Sequence, residues 1–310
     1  DGPRGVARGQ STCFPCTMAR GASFDVDLER RIGEAMGIEV RAQGCTLSGA
    51  VCINLLRHPA WGRAQETYGE DTHHLGIMGA ALTRGAQRHV MACVKHFALN
   101  SMENARFKLD VKISARALHE VYLPHFQHIV DQGVQAVMSA YNSVEGEWAG
   151  QSKLLLRDTL KTRWGFDGFV MTDFIFGMRD AARNGQDLEM PFLQQLHGKL
   201  EGEVRAGTVP EDALNESVAR LLRAQLRQHL RGEPSRYGPE AVGQQAHRSL
   251  ALEVTQKSIV LLENRKRGGI PTLPLEAAGL KRVAVIGLLA DLANTGDHGS
   301  SDVKGVPYII

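Results

Sequence analysis

"GFVMTDF", residues 168–174, is the stretch whose reading decides the fold. Its apolar opening reads as a short strand buried on both faces, the kind found in a parallel sheet. The run ends on Asp173. A carboxylate is costly inside a protein unless it is paired or put to use. A lone Asp in this place has a plainer reading as the N-cap of a following helix, so the surroundings must decide.

Three more apolar runs precede it: "AVCINLL" (50–56), "HVMACVKHF" (89–97) and "GVQAVMSAYN" (133–142). Amphipathic stretches of helical period lie between them. "SFDVDLERRIGEAMGIEVRAQG" starts on Ser and Asp and stops at Gly, the usual helix punctuation. "SARALHEVYLPHFQHIVDQG" offers Ser114 as N-cap and Gly133 as stop, with Pro124 set to kink it. "QSKLLLRDTLKTRWGF" leads directly into the Asp173 strand.

Strand alternating with helix predicts right-handed βαβ units and a parallel α/β sheet. Polar residues gather where several strands end: Asn54 with Arg57, Lys95 with His96, Tyr141 with Asn142, and Asp173. Sites assembled from many strand ends belong to (β/α)8 TIM-like barrels, whereas an open doubly wound sheet concentrates its site at one switch point. We therefore expect a TIM-like barrel over residues 1–235, with its N-terminal part incomplete. A helical segment and a Gly/Pro-marked linker follow over 236–280. "RVAVIGLLA" then reads as a new buried strand opening a second α/β domain, truncated within 281–310.

Bulk properties narrow the function. The chain has 310 residues, 43% of them hydrophobic and 23% charged, and a net charge of +2. The basic residues are scattered, which gives no nucleic-acid footprint. No apolar run approaches the roughly 20 residues of a membrane span. The five cysteines favour a reducing compartment. Localisation otherwise stays open, with a cytoplasmic place favoured, because the chain begins "DGPRGVARGQ" and reads as a fragment. Cys13 and Cys16 form a CxxC with no second half, so the cysteines read as small buried apolar residues rather than a metal or redox site.

A pocket holding Asp, Lys, His, Arg and Tyr offers many hydrogen-bonding groups and few apolar walls, which suits a polyhydroxylated ligand. "NLLRHPAWGRAQETYGED", "KHFALNSMENAR", "MSAYN", "GFVMTDF" and "DLEMP" stand in the order and approximate spacing found in glycoside hydrolase family 3, in its β-glucosidase-like branch. The resemblance covers the chain from "DGPRGV" to "VLLENR…LPL…RVAVIG", the passage that in the family joins the barrel to an α/β sandwich domain.

The resemblance implies a retaining hydrolase of terminal β-linked sugars with no cofactor and no metal, its partner being a carbohydrate and a homo-oligomer remaining open. Asp173 stands in the nucleophile position. Asp1, Arg63, Lys95, His96, Arg106 and Tyr141 stand in sugar-binding positions, and Phe174 replaces the usual Trp. Ala7 stands where Arg is common, with Arg8 next door. Nearby Lys and Arg should keep the nucleophile ionised. The acid/base is implied to be a Glu beyond Ile310, since Glu66, Glu70, Glu103 and Glu189 read as structural and Glu103 with Arg106 as a positioning ion pair. The loop-His "KHFPGHG" pattern of the β-N-acetylglucosaminidase branch is missing from "KHFALNSMENAR". β-Glucoside is the first expectation for substrate and β-xyloside the second; a sugar-binding product without turnover is the reading from another class.

Other eye-catching residues receive bland readings. His73 and His74, and His125 with His128, read as exposed helix positions. "VAVIGLLADLANTG" lacks the GxGxxG of a nucleotide site.

Overall fold

The computed structural model describes residues 2–173, 180–190, 199–230, 237–292, 295–296 and 302–305. Four strands, β1 (Leu47–Cys52), β2 (Met91–Phe97), β3 (Ala136–Ser139) and β4 (Phe169–Met171), pair in parallel in the order of the chain. A parallel bridge from Met171 to Leu188 carries the sheet one position past β4. An open doubly wound sheet would reverse its strand order at a switch point; here each strand simply lies beside its predecessor. This is the run of a TIM-like barrel.

The helices form where the sequence punctuates them. After a short helix over Thr17–Ala22, α1 (Val26–Ala42) is capped by Asp25, whose side chain accepts from Leu28 N at 2.9 Å. Asp71 caps α2 (Thr72–Ala86) through His74 N at 2.7 Å. These two helices approach so closely that a Cβ on Gly85 would stand 2.0 Å from Arg30 O, and one on Gly33 2.3 Å from Leu82 O.

The crossover from β2 to β3 begins at Ser114, which caps Ala117 N at 3.2 Å, and widens into a π turn over Leu118–Tyr122. It restarts at Pro124 as α3 (Pro124–Asp131). The break falls where proline lacks the N–H and crowds the preceding turn. Ser152 caps α4, a helix of π geometry over Lys153–Arg163, accepting from Leu155 N at 3.4 Å.

The sheet separates two apolar regions. Ala92, Val94, Val137 and Val170 join a large cluster with α1, α2 and α3. Met91, Cys93, Ala136, Phe169 and Met171 line the other face, with Leu221 and Ala224 of α5 (Glu211–His229) against them. This alternation follows from period-two geometry in strands buried on both sides.

Three sequence expectations need correction. "RVAVIGLLA" forms no strand: Val283, Val285 and Ile286 are exposed. An apolar run becomes a buried strand only beside a ladder partner and a covering layer, and among the described residues nothing supplies either. His125 is buried rather than exposed, because α3 turns that side chain inward beside Phe126, while His128 stays in solvent. Cys13 and Cys16 are only half-buried; Cys52 and Cys93 are the buried thiols.

Candidate active site

Asp173 stands two residues beyond β4, and the strand that delivers it is firmly tied. Asp187 accepts Val170 N at 2.8 Å, Lys161 Nζ at 2.7 Å and Ser217 Oγ at 2.8 Å. Thr172 donates its N–H to Leu188 O at 2.9 Å, and its hydroxyl accepts Met190 N at 2.8 Å. The "DLEM" segment thus holds both sides of the strand end. Asp173 itself is buried, with Oδ2 3.4 Å from His96 Nε2.

His96 is placed by an irregularity in β2. Lys95 pairs with Met138 and Phe97 with Ser139, so His96 is an extra residue in the ladder. Bulges of this kind bend a strand and re-aim side chains near functional rims. Lys95 and His96 are both buried. Burial, together with the charges of Arg63, Lys95 and Arg106, pushes His96 well below the usual histidine range. The ring is neutral at physiological pH, and its contact with Asp173 is not an ion pair.

Arg63 lies across the same cluster. Its Nε and Nη2 each donate to one oxygen of Glu66 at 2.9 Å, a bidentate pair. Burial works against the guanidinium charge, but the hydrogen bonds and charge of Glu66 outweigh it and raise the Arg63 pKa. Glu66 is held below its usual value in turn: Arg63, Lys95 and Arg106 overcome its own burial. Arg63 Nη1 is buried with no hydrogen bond among the described residues.

Arg106 completes the ring of cations. Its Nε sits 2.9 Å from Glu103 Oε2, and its Cζ lies 4.4 Å from the centroid of the Tyr141 ring, within cation–π range. Phe107 packs edge-on against Tyr141 at 4.9 Å. The expected Glu103–Arg106 pair is therefore present, and it steadies a residue stacked on a second member of the site.

The structure thus gathers Arg63, Lys95, His96, Arg106, Tyr141 and Asp173 into one neighbourhood. Asp1 and Phe174 lie outside the described residues. Arg57 does not join the cluster: it is exposed and lines a separate groove of about 680 Å³ with Leu99, Ser101 and Tyr122. Asn142 spends its amide on Ala98 O at 3.1 Å. Arg8 is exposed, with its guanidinium toward Cys45.

Sequence reasoning underrated two residues. Glu66 orients Arg63, and its signal was the three-residue spacing within "RAQE". Asn54, at the rim after β1, clamps the main chain of His96 through Nδ2 to His96 O and Oδ1 from His96 N, both 2.8 Å. No local pattern reveals a partner 42 residues away.

Comparison with known proteins identifies the family and agrees with the fold. The sequence profile described as "Glycosyl hydrolase family 3 N terminal domain" matches residues 1–224. Beta-glucosidase B of Emericella nidulans is 34% identical over 97% of this chain and 37% of its own length. A beta-glucosidase of Rhizobium radiobacter is likewise 34% identical, over 98% of this chain and 38% of its own. Beta-glucosidase 3B from Thermotoga neapolitana, solved with glucose, superposes with a TM-score of 0.88 at 30% identity, covering 98% of this chain and 44% of that one. The chain therefore spans less than half the length of these relatives.

Proposed function

The chain belongs to glycosyl hydrolase family 3, and on that premise we propose that it carries the nucleophile half of a retaining β-glucosidase site. The observation that carries this reading is Asp173 at the C-terminal end of a barrel strand, the end where such folds build their sites, beside His96, on which the charges of Arg63, Lys95 and Arg106 also act.

In this reading an Asp173 oxygen attacks the anomeric carbon of a terminal β-glucoside. The new carbon–oxygen bond forms as the bond to the leaving oxygen breaks, giving a glycosyl-enzyme of inverted configuration. Water then attacks the same carbon, returns the configuration and frees Asp173. Arg63, Lys95, His96, Arg106 and Tyr141 bind the sugar hydroxyls, and contacts that tighten as the oxocarbenium-like state develops lower the barrier.

A retaining enzyme also needs a second carboxyl group about 5–5.5 Å from the first. Glu66 and Glu103 are committed to Arg63 and Arg106, and Glu70 is exposed. We assign that role to a glutamate outside these 310 residues.

The test uses 2,4-dinitrophenyl β-glucoside, whose leaving group departs without protonation. The expected result is a burst of dinitrophenolate of one equivalent per chain, lost in Asp173→Asn and weaker with the β-xyloside. A burst that survives Asp173→Asn rejects the assignment.

A further inference from the structure

Asn54 does more than brace the main chain. Its two bonds to His96 fix which end of the amide is which: a carbonyl oxygen accepts only, so the atom 2.8 Å from His96 O is the NH2 group, and the atom 2.8 Å from His96 N is the oxygen. That same Oδ1 stands 3.1 Å from His96 Nδ1. An amide oxygen has no hydrogen to offer, so a favourable contact at this distance requires the hydrogen on Nδ1.

We propose that Asn54 is a positioning residue that locks His96 in its Nδ1–H tautomer, leaving Nε2 as a lone pair facing the side of Asp173. The inference deepens the reading of Asp173 as nucleophile and rests on it. The competing donor to Nδ1 is the Cys52 thiol. Its Sγ is 4.0 Å away, the outer limit of a sulfur contact, and an S–H is a weak donor. The amide is closer.

The tautomer has two chemical consequences. A neutral imidazole that donated Nε2–H to Asp173 would stabilise the carboxylate and dull it as a nucleophile; the Nδ1–H form withholds that hydrogen. Nε2 and Asp173 Oδ2, 3.4 Å apart, then present two acceptors side by side. A single hydroxyl hydrogen directed between them satisfies both. The pair accordingly selects a ligand group that donates, a hydroxyl, over an ether or fluorine in the same place, which can only accept.

The test needs no turnover. In the folded chain labelled with nitrogen-15 histidine, the His96 ring is identified as the signals missing from His96→Gln and read in a two-bond proton–nitrogen spectrum at neutral pH. The expected spectrum shows Nδ1 as the protonated, pyrrole-type nitrogen and Nε2 as pyridine-type. Asn54→Leu should exchange the two signatures, Asn54→Asp should retain them because a carboxylate still accepts from Nδ1, and Cys52→Ala should leave them unchanged.

A wild-type ring with its hydrogen on Nε2 overturns the proposal, as does an Asn54→Leu ring that keeps Nδ1–H. If Asn54→Leu does not fold, the wild-type spectrum alone decides. Failure here is distinct from failure of the nucleophile assignment, which is read from the dinitrophenolate burst and its dependence on Asp173.

Discussion

Lys161 Nζ lies 2.7 Å from Asp187 Oδ1 with both side chains buried, and the other oxygen of that carboxylate accepts Val170 N at 2.8 Å. One carboxylate thus ties α4 to the strand that ends in Asp173. Burial depresses the Lys161 pKa, and the charge and hydrogen bond of Asp187 only partly restore it. Breaking such a pair leaves an uncompensated charge indoors. Asp187→Asn should destabilise the fold by about 3–5 kcal/mol, seen as a lower denaturant midpoint. The double variant Lys161→Met with Asp187→Leu should cost less than the two single changes summed, because the pair is coupled. Additive costs would contradict the picture.

Acidification should weaken the fold through buried histidines. An unfolded histidine takes up its proton near pH 6.5, whereas burial pushes His125 down to about 3. Between these values the unfolded chain holds a proton that the folded chain refuses. Stability is therefore full above the unfolded value and falls as pH drops through the window. His96 acts in the same direction. Each pKa unit is worth about 1.4 kcal/mol, so the loss is several kcal/mol across the window. Glu216, whose burial is outweighed by Arg157, Arg220 and Lys161 to give a pKa of about 2, contributes only at more acid pH. Unfolding midpoints measured between neutral and mildly acid pH should fall in the wild type and fall less in His125→Leu. Equal slopes would show that His125 is not the source.

Helix propensity makes the wrong forecast at Gly85. Replacing an internal helical glycine by alanine ordinarily stabilises by about 1 kcal/mol. Here the new methyl group would meet Arg30 O at 2.0 Å and Glu34 N at 2.7 Å, both main-chain atoms. These cannot move without shifting α1, and overpacking of this kind costs about 1–3 kcal/mol. Gly85→Ala should lower the thermal midpoint. A raised midpoint would mean that the α1–α2 contact is looser than it stands here.

How much of this was legible beforehand differs by level. The four strands, their parallel order and the caps at Asp25 and Ser114 follow from apolar runs and punctuation, which are local signals. The gathering of Lys95, His96, Tyr141 and Asp173 follows once the strands are known to align, since their ends must then meet. The bulge at His96 and the grip of Asn54 do not follow, because both depend on register between strands about 40 residues apart. The burial of His125 was misjudged for a related reason: a histidine beside a phenylalanine gives no sign of which way a proline-interrupted helix will roll. "RVAVIGLLA" failed in the opposite sense, since hydrophobicity alone cannot provide a neighbouring strand.

The role of Asp173 is open to one direct measurement. Incubation with 2-deoxy-2-fluoro-β-glucosyl fluoride, whose fluoride leaves without acid assistance, should trap a covalent glycosyl adduct on one residue per chain. Peptide mapping by mass spectrometry should place the added fluoroglucosyl mass on Asp173, within the peptide that contains "GFVMTDF", and Asp173→Asn should take up none. Stoichiometric label on any other carboxylate, or undiminished label in Asp173→Asn, would contradict the assignment.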